Sequence, residues 1–259
     1  MKKWLALPEA TRRPGAVKVP PIPKHLLTEP PEGGIVLKTY TRNMKRDKYG
    51  KFARIEKKDL DDKKTYADVN WKWGNAIFLE PMPDVMWVTE AEWKSLVPAQ
   101  PKIGETFAVP DGICKRLCRY HLIDSTFGLA AGWALADVRR DRISLTVEEV
   151  TPNIRLRVDG AALMATDADL KQATHGFDVQ ISGLLSYDPA VKKFTRFDIV
   201  AVGHTWGGDW EGGRFARPGK APLGIALELA PGLSAADRVT PKGLRFSNFS
   251  KTYFQADRS

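Results

Sequence analysis

At 259 residues and 43% hydrophobic content the chain can bury a core of its own, and its two cysteines are too few for a disulfide framework. No stretch approaches the ~18 uninterrupted apolar residues of a membrane-crossing helix, which excludes a helical span. The net charge of +9 is lodged in one quarter: residues 1–64 hold 17 Lys+Arg against 8 Asp+Glu, and the remainder is balanced.

The chain opens Met1-Lys2-Lys3-Trp4-Leu5, a basic start, but Pro8, Glu9, Arg12 and Arg13 arrive before any apolar run of signal-peptide length. As written it is expected to carry no export signal; an exported bacterial protein would have lost one ahead of residue 1. Residues 1–34 form a proline-rich arm, RRPGAVKVPPIPKHLLTEPPEGG in its main part, in which prolines impose an extended path. Residues 35–64 form a basic hairpin or extension. Here Asp47-Lys48-Tyr49-Gly50 makes a turn between TYTRNMKR and KFARIEKK. Lys38, Arg42, Lys45, Arg46, Lys48, Lys51 and Arg54, interleaved with Tyr40, Tyr49 and Phe52, offer charge for phosphates or another acidic surface and aromatic faces for bases. The plainer reading is a solvated strand face.

From residue 65 to 259 a single globular β-rich domain is expected. Trp71, Trp73, Trp87 and Trp93 require packing partners, and Thr89 followed by Glu92 is a capping box that opens a short helix ended by Pro98. A second helix follows Pro110-Asp111-Gly112. Ile113, Cys114, Leu117, Cys118, His121 and Leu122 fall on one face, and Lys115, Arg116, Arg119 and Tyr120 point the other way. ISLTVEEV, IRLRVDGAALMA, DVQISGLLSY, KFTRFDIVAVG and LGIALEL then read as five antiparallel strands, the third and fourth joined at Asp188-Pro189. The unbroken apolar run in FDIVAVG predicts a central strand covered on both faces. The fold class is α+β, mostly β: an antiparallel sheet or partly closed barrel with one or two docked helices and the extended N-terminal arm.

Two clusters could carry chemistry. Cys114, Cys118 and His121 recur on one helical face, where thiolates and imidazole could share zinc or another transition metal, with Asp124, His175 or His204 completing the set. Against this, the spacing is no zinc-knuckle pattern, and these positions lie where the helix buries its apolar side, so buried structural thiols are the favoured reading and no cofactor is predicted.

The second cluster is WGGDWEGGRFARPG, residues 206–219, just after a strongly apolar strand. His204 with Asp209 or Glu211 would equip a hydrolase or lyase, one group giving a proton and another taking it. Yet no nucleophile elbow, phosphate-cradling loop or metalloprotease motif accompanies them. As a binding loop, Trp206 and Trp210 would present flat rings to sugar faces, with Asp209, Glu211 and Arg214 reaching hydroxyls and Arg217 completing the ligand-binding set. As a sheet-edge plug, the same tryptophans fold back and the glycines allow the turn beneath.

RFDIVAVG with Trp206-Gly207 behind it, then Arg217-Pro218-Gly219, Pro222-Leu223-Gly224, LGIALELA and Ala236-Asp237-Arg238-Val239, resembles a family of bacterial proteins without assigned activity, over about residues 85–240. The resemblance implies a bacterial source and an exported location, and no functional residue comes with it. The expectation is a non-enzymatic binding or interaction protein whose basic N-terminal segment contacts an anionic partner: a protein subunit, a polysaccharide or, less favoured, nucleic acid. An enzyme built on His204, Asp209 and Glu211 and a metal-binding protein built on Cys114, Cys118 and His121 are the alternatives.

Overall fold

The computed structural model describes residues 6, 8–12, 29–62, 78–126, 132–207, 219–232, 235–245 and 252–258. Most of the proline-rich arm, Trp71, Trp73, and the loop residues Asp209, Trp210, Glu211, Arg214 and Arg217 lie outside them.

Among the described residues nine antiparallel strands make one open sheet. They are β1 (Ile35–Arg46), β2 (Phe52–Arg54), β3 (Met82–Val88), β4 (Thr106–Ala108), β5 (Val138–Glu149), β6 (Ile154–Ala165), β7 (His175–Asp188), β8 (Lys193–Gly207) and β9 (Lys220–Leu229). The path runs β2-β1-β9-β8-β7-β6-β5-β4, with β3 paired to β1. The β5-to-β9 meander is the five-strand run that the alternation predicts. Asp188 builds the β7–β8 turn, its carboxylate accepting from the backbone N–H groups of Ala190 and Val191.

The N-terminal basic segment is no appendage of this sheet. β1 pairs with β9 from Leu37↔Leu229 to Asn43↔Leu223, and with β3 from Ile35↔Val88 to Thr41↔Met82. It is therefore an interior strand, continuous with the body. The predicted hairpin is present: Met44↔Arg54 and Arg46↔Phe52 pair across it, and the Asp47 carboxylate accepts from Tyr49 and Lys51 backbone N–H groups. Gly50 takes the turn's positive φ of 75°.

β8 is central but covered on one face only. Phe197, Ile199, Ala201, Gly203 and Thr205 are buried, while Val200 on the other face is 45% exposed. Its consecutive apolar residues are thus split between core and solvent, which corrects the expectation of two covered faces. The sheet curls so that residues from β1, β3 and β5 through β9 surround one apolar core. A cavity of about 30 Å³ remains among Leu37, Met86, Ile113, Leu117, Val158 and Phe197. With no polar group in its lining it offers water no partner.

Helix α1 (Glu90–Ser95) carries the predicted capping box, the Thr89 hydroxyl accepting from Glu92 N–H and the Glu92 carboxylate from Thr89 N–H. Helix α2 (Asp111–Arg116) continues as a π-helical turn through Leu117–His121. Its thiol face meets the core as expected. Its opposite face is a correction: Arg116, Arg119 and Tyr120 are buried too. Arg116 donates to the carbonyls of Trp87 and Tyr253 and makes a two-pronged pair with Glu92. Arg119 donates to the carbonyls of Trp133 and Ala256. Charged heads can be buried here because backbone acceptors and one carboxylate satisfy them.

The same contacts seal the free edge of β3. On the side away from β1, the Trp87 N–H donates to the Tyr253 hydroxyl and the Trp87 carbonyl accepts from Arg116. Side chains thus occupy groups that would otherwise invite a foreign strand. Arg116→Met should cost about 3–5 kcal/mol, because it leaves Glu92 and two carbonyls without their donor. Urea unfolding measures this as a lower midpoint at unchanged slope; a loss below ~1 kcal/mol would show that the guanidinium is dispensable.

Candidate functional site

The predicted metal cluster does not assemble. Cys114 and Cys118 face the apolar core, where burial pushes the Cys114 thiol up to about 12 and raises Cys118 as well, so both stay protonated. The π turn, closed by Leu122 N–H to the Leu117 carbonyl, carries His121 toward the C-terminal segment. There His121 Nε2 meets the Tyr253 hydroxyl at 2.9 Å, and Nδ1 stands 4.0 Å from Asp84. Asp124 accepts from the N–H and hydroxyl of Thr126, and His175 lies against the Trp133 ring with centroids 4.4 Å apart. Among the described residues, no group of three or more His, Cys, Asp or Glu side chains converges as metal ligands would.

Full burial, and secondarily the Arg116 charge, push His121 down to about 3 from its ordinary 6.5. A group whose folded value is depressed binds its proton more readily in the unfolded chain. Its contribution to stability is therefore complete above pH 6.5 and is lost progressively as the pH falls toward 3. Between these limits wild-type stability should fall by up to ~1.4 kcal/mol per pH unit more than that of His121→Gln. Denaturant titrations of both proteins at several pH values test this, and parallel profiles would refute it.

The other predicted residues divide by what holds them. Lys38 pairs with Asp237 at 2.9 Å, Lys45 with Asp59 at 2.6 Å, and Arg42 donates to the Leu79 carbonyl. These three are engaged within the fold. Lys48, Lys51 and Arg54 are exposed at the hairpin, Lys48 lying over Tyr49. Arg46 is different, because it joins the two halves of the sequence prediction.

On the solvent face of the sheet the β8–β9 register sets Trp206 opposite Lys220 and His204 opposite Pro222. Continuing the β1–β9 register brings Arg46 level with Lys220. Arg46 Nη2 then lies 3.2 Å from His204 Nε2, its Nη1 donates to the Gly50 carbonyl at 2.7 Å, and its guanidinium stacks 3.6 Å above the Phe52 ring. Phe52 and His204 also touch, with ring centroids 5.5 Å apart. His204 is half-buried. Its pKa is lowered by that burial first, then by the charges of Arg46 and Lys220, with Asp178 acting the opposite way.

Trp206 folds back onto the neighbouring strand β7, over the face of the sheet and not its edge. Its ring lies over Gly176, where an added Cβ would come within 2.0 Å of it, and its Nε1 donates to the Ala173 carbonyl at 3.2 Å. Lys220 lies over the ring as well, 4.6 Å from its centroid. The sequence reading missed Lys220 and Gly176. Period-two counting back from Leu223 does put Lys220 on the solvent face, but only the register shows what lies beside it.

This corner is positive by construction. The described carboxylate opposite His204 is Asp178, which already pairs with Arg140 at 2.7 Å. Arg46 and Lys220 are held by aromatic faces, which fix a cation without neutralising it. The corner lies on β8 and β9, the strands that residues 208–218 connect in sequence. The apolar cavity offers no competing site, being far below the roughly 300–1,000 Å³ of small-molecule pockets. Comparison of the chain with protein-family models, with curated proteins and with solved structures returns no match. No described helix is long and apolar enough to cross a membrane.

Gly176→Ala should lose about 1–3 kcal/mol by forcing the indole off the sheet. In a Trp206→Ala background the same change should cost little. A double-mutant cycle in urea checks this, and an equal loss in both backgrounds would separate Gly176 from Trp206.

Proposed function

We propose that the protein is a non-enzymatic binding protein which takes an anionic partner at the corner formed by Arg46, His204 and Lys220. The observation that carries this reading is the 3.2 Å contact between Arg46 and His204, which brings the basic segment to the foot of the 206–219 loop. Lys48, Lys51 and Arg54 extend the positive surface outward along the hairpin. An extended anionic chain could follow that line, giving up its counterions as it binds. An anionic polysaccharide is the partner chemistry that fits best, since its charges lie on an exposed, repeating backbone.

Heparin is a suitable probe. Wild-type affinity should fall steeply as sodium chloride rises from about 50 to about 200 mM, because exposed charges are screened over that range. Arg46→Ala combined with Lys220→Ala should weaken binding about tenfold, two exposed ion contacts at ~0.5–1 kcal/mol each. Affinity independent of salt, or unchanged in the double variant, would refute the reading.

A further inference from the structure

The Arg46–His204 contact has a fixed polarity. A guanidinium nitrogen can only donate, so His204 Nε2 must offer its lone pair, and the imidazole in this state is neutral with its proton on Nδ1. Arg46 is not free to turn away, since Gly50 and Phe52 hold it from two other directions. If His204 took a second proton, the hydrogen bond would become a contact between two cations. An anion inserted between them would reverse that penalty, with Arg46 and a protonated Nε2 both donating to it.

The surroundings favour this outcome. From β9, Pro222 stands opposite the ring and Lys220, opposite the neighbouring Trp206, is near enough for its charge to act on it; from β1, Arg46; from β7, Asp178, already paired with Arg140 of β5 at 2.7 Å. Phe52 from β2 is uncharged, as are Val202 and Trp206, the residues on the same face of His204's own strand. Two cations therefore surround a neutral imidazole, and the one described carboxylate nearby is engaged elsewhere. Burial and the two cations keep His204 deprotonated without a ligand, while a bound anion adds the missing charge.

We infer that Arg46, His204 and Lys220 form a proton-linked oxyanion site: capture of a sulfate or phosphate group breaks the Arg46–His204 hydrogen bond, His204 takes one proton from solvent at Nε2, and all three side chains turn on the anion. Three donors from three strands suit a tetrahedral group with oxygens in several directions better than a planar carboxylate. The inference rests on the anionic-partner reading above and adds the ligand's group and its coupling to pH. By reciprocity, if the anion raises the basicity of His204, acid must tighten the anion.

The test follows the His204 Cε1–H resonance of the full chain by NMR between pH 5 and 8, with and without inorganic sulfate, assigned by its loss in His204→Gln. Without sulfate the ring should titrate below the ordinary histidine value. Saturating sulfate should raise its midpoint, and sulfate affinity should rise at least about fivefold from pH 7.5 to 5.5, within the tenfold per unit that one linked proton permits. Arg46→Met should abolish the sulfate-induced shift. His204→Gln, which keeps an acceptor for Arg46, should still bind sulfate weakly but without pH dependence. Inorganic phosphate at pH 5.5 separates the sources: tighter sulfate points to a sulfate ester as the natural group and tighter phosphate to a phosphate ester, and either supports the site. Arg46-dependent sulfate binding that leaves the His204 titration unmoved would overturn the proton linkage and spare the anionic-partner reading. A wild-type protein that binds neither anion at pH 5.5 would overturn both.

Discussion

The antiparallel register between β1 and β9 is the constraint on which the corner depends. It pairs Asn43 with Leu223 and thereby fixes where Arg46 comes to lie against Lys220 and His204. Side chains alternate between faces with period two, so a slip of one residue would send Arg46 inward and bring Asn43 to the surface. The buried partners of β1 resist such a slip. Leu37 belongs to the main core, and Asn43 donates to the Thr126 hydroxyl at 2.8 Å. The geometry of a solvent-facing charge cluster is thus set by what happens on the opposite side of the sheet.

Across β1 from β9 the problem is the free edge of β3, and the solution is polar. Tyr253 and Arg116 occupy the N–H and carbonyl of Trp87, and Arg119 gathers carbonyls from the loop at Trp133 and from the C-terminal segment. Burying two guanidinium groups is costly unless their donors are used, and here backbone oxygens and the Glu92 carboxylate use most of them. The seam therefore holds its neighbours in one arrangement by directional bonds, whereas the curled interior is held by area alone.

These differences explain what could be read in advance. The capping box at Thr89 and Glu92, the Asp47–Gly50 turn and the five meander strands rest on neighbours in sequence, and the structure contains each of them. The interior place of β1 was hidden because its inward positions include Thr39, Thr41 and Asn43, so its alternation looks polar on both faces. Arg116 and Arg119 looked solvent-facing because their acceptors lie on other elements, Tyr253 and Ala256 among them. At the candidate site, Arg46, Phe52, His204 and Trp206 were all legible as residue types. Their meeting was not, since it depends on the register of strands distant in sequence, and the direction of the Trp206 ring shows only with Gly176 beneath it.

The place of β1 also orders the life of the chain before it is folded. β1 leaves the ribosome well before its β9 partner, so this long-range pairing closes late. β3 is nearer in sequence, and pairing with it first would cost less loop-closure entropy. Until β9 arrives, the other edge of β1 is a row of open backbone donors and acceptors. The lysines and arginines that alternate along it then act as electrostatic guards, keeping one nascent chain from adding its edge to another.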